Sequence, residues 1–182
     1  MKISRAGGFT LVEMMMALVV LAVLLAVAAP GFSDLIKNNR LLTQVYGIRA
    51  ALNGARSEAL AQRAFVTFCR SSDGASCSGD WNQGYIAFID FDGDGSVDDP
   101  NSPGGDRVFI SKVVDSDTLD IAYSNAANRV RFDGQGYARA FDGVFTVCDI
   151  RREAAARRLA VTAVGVVRSL DPNDPPTPVT CP

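Results

Sequence analysis

The densest group of side chains that could do chemistry is a run of aspartates in residues 90–99. Five carboxylates fall within these ten residues, which contain no lysine or arginine: Asp90, Asp92, Asp94, Asp98 and Asp99. Carboxylates this close repel one another unless water or a cation separates them. The opening pattern D-x-D-G-D-G matches the first six places of an EF-hand calcium loop. The twelfth place is Asn101, whereas that loop requires a bidentate glutamate there.

The aspartate run therefore has two interpretations. It can be an exposed hairpin loop, because Asp and Gly both tolerate unusual backbone angles, and we favour this interpretation. It can also be a weak calcium site of the extracellular type, with Asp90, Asp92, Asp94 and Asp98 as candidate ligands. Calcium is the only cofactor that the sequence suggests.

A second charged group lies near the carboxyl end of the chain. Between Cys148 and Leu170, two acidic residues stand against five arginines: Arg151, Arg152, Arg157, Arg158 and Arg168. Clustered arginines can bind the phosphates of DNA, each contributing separately through counterion release. The alternative, which we favour, is a solvated turn in which the arginines pair with acidic neighbours.

The composition argues for a folded domain and against several classes of enzyme. The 182 residues include no histidine, which removes histidine-based acid–base catalysis, Ser-His-Asp triads and most catalytic zinc sites. A net charge of −2 gives no global attraction to nucleic acid or acidic lipid. Apolar residues make up 48% of the chain, which is typical of a domain with a core.

The four cysteines, Cys69, Cys77, Cys148 and Cys181, include no C-x-x-C pair, which argues against a zinc or redox motif. An even number of cysteines behind an apolar segment is typical of disulfides in an oxidising compartment. Four cysteines allow three connectivities. We favour Cys69–Cys77, which closes a short Ser/Gly-rich loop, and Cys148–Cys181, which fastens the proline-rich tail.

A lone glutamate, Glu13, lies at the start of a long apolar run. No charged residue occurs from Met14 to Ser33, a segment long enough to cross a bilayer as a helix. The basic residues ahead of it keep the amino terminus in the cytoplasm. A secretory signal cut after Ala28 and a plain membrane anchor are alternatives. Neither explains Glu13, because a charge is costly in a membrane.

The segment Gly8-Phe9-Thr10-Leu11-Val12-Glu13, behind a short basic leader, resembles the class III signal of type IV pilins and type II secretion pseudopilins. The resemblance implies that prepilin peptidase cuts after Gly8 and methylates the new amino terminus, Phe9. It also implies that Glu13 meets the amino terminus of a neighbouring subunit during assembly. An opposite charge is what stabilises a carboxylate in low-dielectric surroundings.

The elements that must position these groups follow from the apolar pattern. Beyond Pro30, apolar residues recur at steps of four and three along one helix face: Leu41, Val45, Ile48, Leu52, Ala55 and Ala59. The pattern predicts one helix from Phe9 to about Arg63, kinked near Pro30. We expect its first half in the inner membrane and its second half against a sheet.

The rest of the chain alternates and turns like an antiparallel sheet. Strands are predicted at 65–69, 85–90, 107–113, 119–123, 129–132, 144–148 and 158–164. The fold class is α+β, the type IV pilin layout of a long helix packed on an antiparallel sheet. The predicted domains are a leader (1–8), a membrane and assembly helix (9–30) and a periplasmic domain (31–182). That domain comprises a helix (31–63), a β-rich part (64–170) and a tail (171–182).

The middle of the chain resembles the GspH/FimT branch of pilins, which contains minor pseudopilin H and the fimbrial proteins T and U. The resemblance rests on Trp81-Asn82-Gln83-Gly84-Tyr85 and on Phe88-Ile89-Asp90 before an Asp/Gly loop. It implies a structural subunit in the tip or priming complex of a type IV pilus or a type II secretion pseudopilus. Its partners would be prepilin peptidase, the inner membrane and other minor and major pilins or pseudopilins.

Two other functions stay open beside this one. Some fimbrial T proteins bind DNA during natural transformation through a C-terminal G-R-x-R motif. The matching stretch here, Gly165-Val166-Val167-Arg168, has Val166 in place of the first arginine, so DNA is a possible partner that we do not favour. The remaining alternative is an exported calcium-binding module.

Overall fold

The structure, a computed structural model, describes residues 8–102, 104–113, 118–171, 174 and 180–181. Most of the predicted leader and most of the proline-rich tail lie outside these residues. The chain divides into two compact units, one ending at Asn39 and the other beginning at Arg40.

Helix α1 comprises the 52 residues Leu11–Gln62. In the first unit its side chains are exposed from residue 11 to residue 26, and a window of this section has a mean hydropathy of 2.7. By length and composition, α1 can therefore cross a membrane. The helix continues through Pro30 and Gly31, and the kink expected there stays a prediction.

In the second unit, α1 buries the face that the spacing predicts. Its six apolar positions from Leu41 to Ala59 are all at most 4% exposed. They belong to one core cluster with residues of both sheets, including Phe68 and Phe145. Burying a leucine or isoleucine fully is worth about 1.5–3 kcal/mol, so this face anchors the helix to the sheets.

Eight strands follow α1 in the described part of the chain. They are β1 (Phe65–Arg70), β2 (Gly84–Asp90), β3 (Arg107–Val113), β4 (Leu119–Tyr123), β5 (Arg129–Phe132), β6 (Gly143–Asp149), β7 (Arg157–Val161) and β8 (Val167–Leu170). A short 3₁₀ turn, Arg152–Ala155, lies between β6 and β7. Six of the predicted strands agree with these bounds to within one residue.

The last predicted strand, 158–164, is wrong at its carboxyl end. The chain turns after Val161 and returns as β8, held by bonds from the Gly165 N–H to the Thr162 carbonyl and from the Thr162 N–H to the Val166 carbonyl. Gly165 has a φ of +79°, a conformation that glycine adopts without steric cost. Valine favours strands, and the valines on both sides of this turn therefore led to the prediction of one continuous strand.

The strands form two antiparallel sheets rather than the single sheet that was expected. Their orders are β3-β2-β1-β5 and β4-β6-β7-β8. The chain passes between the sheets three times, from β3 to β4, from β4 to β5 and from β5 to β6. Aromatic rings pack between the two sheets. The ring of Phe145 in the second sheet makes an edge-to-face contact with the ring of Phe68 in the first sheet, and it also stacks on Tyr123 within its own sheet.

Candidate functional site

The assembly segment, residues 8–13, ends in a capping box at the start of α1. The Glu13 N–H donates to Thr10 Oγ1 at 3.2 Å, while the Thr10 N–H and hydroxyl donate to Glu13 Oε2 at 3.0 and 3.1 Å. This reciprocal pair satisfies amide groups that a helix start leaves free. Glu13 therefore has a role inside its own subunit, which the T-x-x-E spacing could have revealed.

Gly8 and Phe9 precede the helix in exposed, irregular chain. Both Thr10 bonds end on Glu13 Oε2, so Oε1 has no hydrogen-bond partner among the described residues. The side chain is exposed. Glu13 can thus cap its own helix and still offer an oxygen to another subunit.

The aspartate loop, residues 90–99, connects β2 to the turn before β3. One oxygen each of Asp90, Asp92 and Asp94 lies within 4.8 Å of the others, whereas Asp98 is outside this group. The carboxylates mostly bond to the loop itself: Asp90 accepts from the Gly93 N–H, Asp92 from the Asp94 N–H, and Asp94 from the Ser96 N–H. Such turns explain the aspartates without a cation, and calcium binding stays a prediction.

Two buried acidic groups hold the loop in place. Asp90 accepts a hydrogen bond from the Thr67 hydroxyl of β1 at 2.6 Å. Asp106, which the sequence analysis overlooked, accepts from the N–H groups of Phe91 and Asp98 and so ties the two ends of the loop together. Burial raises the pKa of Asp90, although its hydrogen bonds from Thr67 and Gly93 oppose that shift.

Two arginines of β5, which the sequence analysis also overlooked, bond to the backbone of the loop. Arg131 donates to the Gly93 carbonyl and Arg129 to the Gly95 carbonyl. The Arg131 guanidinium also lies over the Phe65 ring, 5.1 Å from its centre. The only sequence signal was their alternation in Arg129–Phe132, which places both on one face of a strand.

The basic segment, residues 148–171, has its arginines bonded to nearby protein groups. Three of them form ion pairs: Arg151 with Asp149, Arg152 with Asp120 and Arg168 with Asp174. The other two donate hydrogen bonds to backbone carbonyls: Arg157 to those of Ala155 and Ala156, and Arg158 to those of Asp171 and Asp174. This agrees with the salt-bridged turn that we favoured. DNA binding by these residues stays a prediction.

Several of these bonds fasten the chain that follows β8. Arg158 is only 4% exposed, and its bonds to the Asp171 and Asp174 carbonyls are both 2.7 Å. The Cys148–Cys181 disulfide attaches the end of the tail to β6, and the Cys181 N–H donates to Glu153. The second disulfide, Cys69–Cys77, closes the loop after β1. Both expected connectivities are confirmed.

Two crystal structures of a minor pilin are similar to this chain. A crystal structure of the type IV minor pilin FimU from Pseudomonas aeruginosa (strain PAO1) matches with a TM-score of 0.56 and 20% identity, over 78% of this chain and 96% of that chain. A second crystal form matches with a TM-score of 0.54 and 20% identity, over 75% and 97%. A comparison with curated proteins finds no significant match.

These matches show the pilin fold. Residues 3–29 match the family model described as prokaryotic N-terminal methylation motif. Together with the apolar section of α1, this motif defines the class as membrane-anchored pilins. Residues 46–165, well over half of the chain, match the family model described as Type II transport protein GspH. The chain belongs to the GspH family.

Proposed function

We propose that the chain is a minor pilin or pseudopilin, a structural subunit that assembles with other pilins or pseudopilins. The observation that carries the proposal is the exposed apolar section of α1 behind a methylation motif. So much apolar surface requires a cover of lipid or of other apolar helices. When a subunit leaves the membrane for a pilus or pseudopilus, the apolar helices of its neighbours replace the lipid around this surface.

The outward face of α1 in the second unit supports assembly along this helix. It is an exposed stripe at steps of three and four that contains no charge: Thr43, Tyr46, Ala50, Asn53, Ser57 and Leu60. The solvent face of a surface helix is usually charged. An uncharged face of mostly small residues permits close approach of a neighbouring element.

The proposal includes processing and topology. Prepilin peptidase would cut after Gly8 and methylate Phe9, and the apolar section would hold the protein in the inner membrane in a single pass. The amino terminus would be cytoplasmic, and the second unit would lie in the periplasm, where its two disulfides are stable. The basic segment gives no support to a DNA-receptor function, because its arginines bond to the protein.

Intact-mass analysis of the protein from its native membrane tests the processing step. We expect a chain that begins at Phe9 and carries one added methyl group. Gly8→Val should leave the full precursor, because a branched side chain then occupies the position before the cut. A chain that begins at Ala29 would indicate an ordinary secretory signal and would exclude the proposal.

Glu13→Val tests the assembly step. Membrane insertion should be equal or better, because a charge has been removed from an apolar segment. Recovery in sheared pilus or pseudopilus fractions should fall at least tenfold, because the amine of the neighbour loses its counter-ion. Thr10→Val is the matched control, since it breaks the capping box and keeps the carboxylate. Equal losses for both variants would show that Glu13 acts only as a helix cap.

A further inference from the structure

A small second core lies on the face of the first sheet that is turned away from the main core cluster. Its centre consists of three buried side chains of β1 and β2, namely Cys69, Ile86 and Phe88, none of which is more than 1% exposed. The adjacent residues Phe68 and Ala87 point to the opposite face and belong to the main core cluster. The first sheet is therefore covered on both of its faces.

Two loops supply the cover of the second core. The loop after β1, residues 71–80, contributes Cys77, and the aspartate loop contributes Val97. Both side chains are half-buried, and Val108 of β3 completes a second core of six side chains. Because Phe91 is 54% exposed, Val97 is the apolar side chain by which the aspartate loop contacts this core.

A disulfide holds the first of these two loops on the sheet. Cys69 lies in β1, and its bond to Cys77 keeps the Cys77 side chain in the second core. The Ser111 hydroxyl of β3 also donates to the Gly74 carbonyl, but this bond is exposed, and water competes for both groups. Without the disulfide, Cys77 can leave the second core, and water then reaches the apolar surface on which Val97 packs.

We propose that the Cys69–Cys77 disulfide is a redox latch that sets the position of the aspartate loop. With the bond formed, Cys77 and Val97 cover the second core together and the loop is held. With the bond reduced, Cys77 leaves, and the loop opens at its Val97 end. This inference rests on the proposed function, because the second unit would meet an oxidising compartment only after it has crossed the membrane.

The two sulfurs of the latch differ in exposure, which fixes the order of the exchange steps. Cys69 is 1% exposed, whereas Cys77 is half-buried, so an attacking thiolate reaches the Cys77 sulfur. A dithiol forms a mixed disulfide with Cys77 and releases the Cys69 thiolate, which takes up the proton that the attacking thiol lost. The second thiol of the dithiol then displaces Cys77. The dithiol leaves as a disulfide, and both cysteines become thiols.

The Asp98 amide reports the state of the latch. It follows Val97 directly and donates to the Asp106 carboxylate at 3.2 Å. In amide hydrogen exchange of the full chain in detergent, Cys77→Ser should speed exchange at Asp98 at least tenfold. Cys181→Ser is the matched control, since it opens the disulfide with the longer loop in the other sheet and should change exchange at Asp98 less than twofold.

This comparison separates a local latch from a general loss of stability. Slow exchange of the paired amides of β6 and β7 shows that each variant is folded. If Cys181→Ser speeds exchange at Asp98 as much as Cys77→Ser does, or if neither variant changes it, the latch is excluded.

Reduction of the unaltered chain with dithiothreitol tests the redox step itself. Alkylation and peptide mass analysis give the reduced fraction of each disulfide. Exchange at Asp98 should rise in proportion to the reduced fraction of Cys69–Cys77 and should return on reoxidation. In Cys77→Ser, dithiothreitol should have no further effect there. A change at Asp98 that follows the reduction of Cys148–Cys181 instead would overturn the proposal.

Val97→Ser tests the other side of the cover. It keeps the disulfide but removes the apolar contact of the aspartate loop, so exchange at Asp98 should rise about as much as in Cys77→Ser. The double variant should show little further increase, because both changes open the same core. Val113→Ser, at a position of β3 that is 65% exposed, is the matched control and should change nothing. Fully additive effects would show that the disulfide and Val97 act independently, against the proposal.

The proposed function is judged separately, by the mass of the mature chain and by its recovery in filament fractions. Normal values for both, with an Asp98 amide that does not respond to the disulfide, would remove the latch and leave the function in place. A chain that begins at Ala29 would exclude the function, whereas the exchange measurements on the purified chain would still decide the latch.

Discussion

The aspartate loop and the basic segment are both dense in charge, yet the protein uses them in opposite ways. The arginines of the basic segment bond to the chain around them, and Arg158 is almost completely buried. In the aspartate loop, the exposed carboxylates Asp92 and Asp94 bond to backbone N–H groups of their own turn. The charged side chains of the basic segment hold the tail, whereas the carboxylates of Asp92 and Asp94 stay exposed to solvent.

The difference shows what decides whether a charged cluster is available to a partner. Whether its side chains bond to residues distant in sequence determines this more than the density of charge does. Arg152 pairs with Asp120 of β4, and Arg158 bonds to the chain beyond β8. Two arginines of β5, Arg129 and Arg131, do bond to the aspartate loop, but they donate to its carbonyl oxygens and not to its carboxylates. Its outward carboxylates stay exposed.

The largest expected effect comes from releasing the tail that the basic segment holds. Cys181→Ser opens the Cys148–Cys181 bond, which spans 33 residues. The chain-entropy model assigns such a loop about 4 kcal/mol. The melting temperature of the full chain in detergent, followed by fluorescence of its single tryptophan, the buried Trp81, should fall accordingly.

Cys77→Ser is the matched control for this experiment. It opens a bond that spans only eight residues, worth about 2.5 kcal/mol in the same model. In Cys181→Ser, the tail should also become sensitive to protease while the sheets persist, and Cys148 should become reactive to a thiol probe. An equal loss of stability in both variants would show that the length of the tail loop is not what matters.

The parts of the fold that depend on local pattern could be predicted from the sequence. The buried face of α1 follows from helical spacing, and the capping box is a four-residue pattern, although it was overlooked. The division into two sheets could not be predicted, because it depends on how strands far apart in sequence pair. Nor could the position of Asp106, since a lone charged residue carries no signal of the loop that it supports.

Arg158 is expected to have the second-largest effect. Arg158→Met keeps an unbranched apolar stem but removes the donors to the Asp171 and Asp174 carbonyls. Hydrogen bonds to a charged group are worth about 1.5–3 kcal/mol, and we expect a loss of stability in that range by denaturant unfolding. Arg157→Met, at the exposed neighbouring position, should cost less than about 0.5 kcal/mol. If both substitutions were neutral, the basic segment would not be holding the tail, and the contrast with the aspartate loop would disappear.

The smallest effect expected is a difference in sign between the two regions on acidification. Bonds from its own backbone N–H and from the Cys181 N–H lower the pKa of Glu153 from its ordinary value of 4.5. Its contribution to stability is therefore present above pH 4.5 and is lost as the pH falls through the lower pKa of the folded state. Burial raises the pKa of Asp90 above 3.8. The contribution of Asp90 is therefore greatest below pH 3.8 and is lost as the pH rises through the higher pKa of the folded state.

Amide hydrogen exchange, corrected for intrinsic rates, measures this difference at single sites. Between pH 6 and pH 3, protection of the Cys181 amide should fall, while protection of the Gly93 amide, which bonds to Asp90, should change less or rise. Glu153→Gln should remove the pH dependence at Cys181 and leave that at Gly93 unaltered. Because Glu153 is exposed, the change at Cys181 should be severalfold rather than orders of magnitude. Equal losses of protection at both amides would mean that global unfolding, and not the two local carboxylates, sets the response to acid.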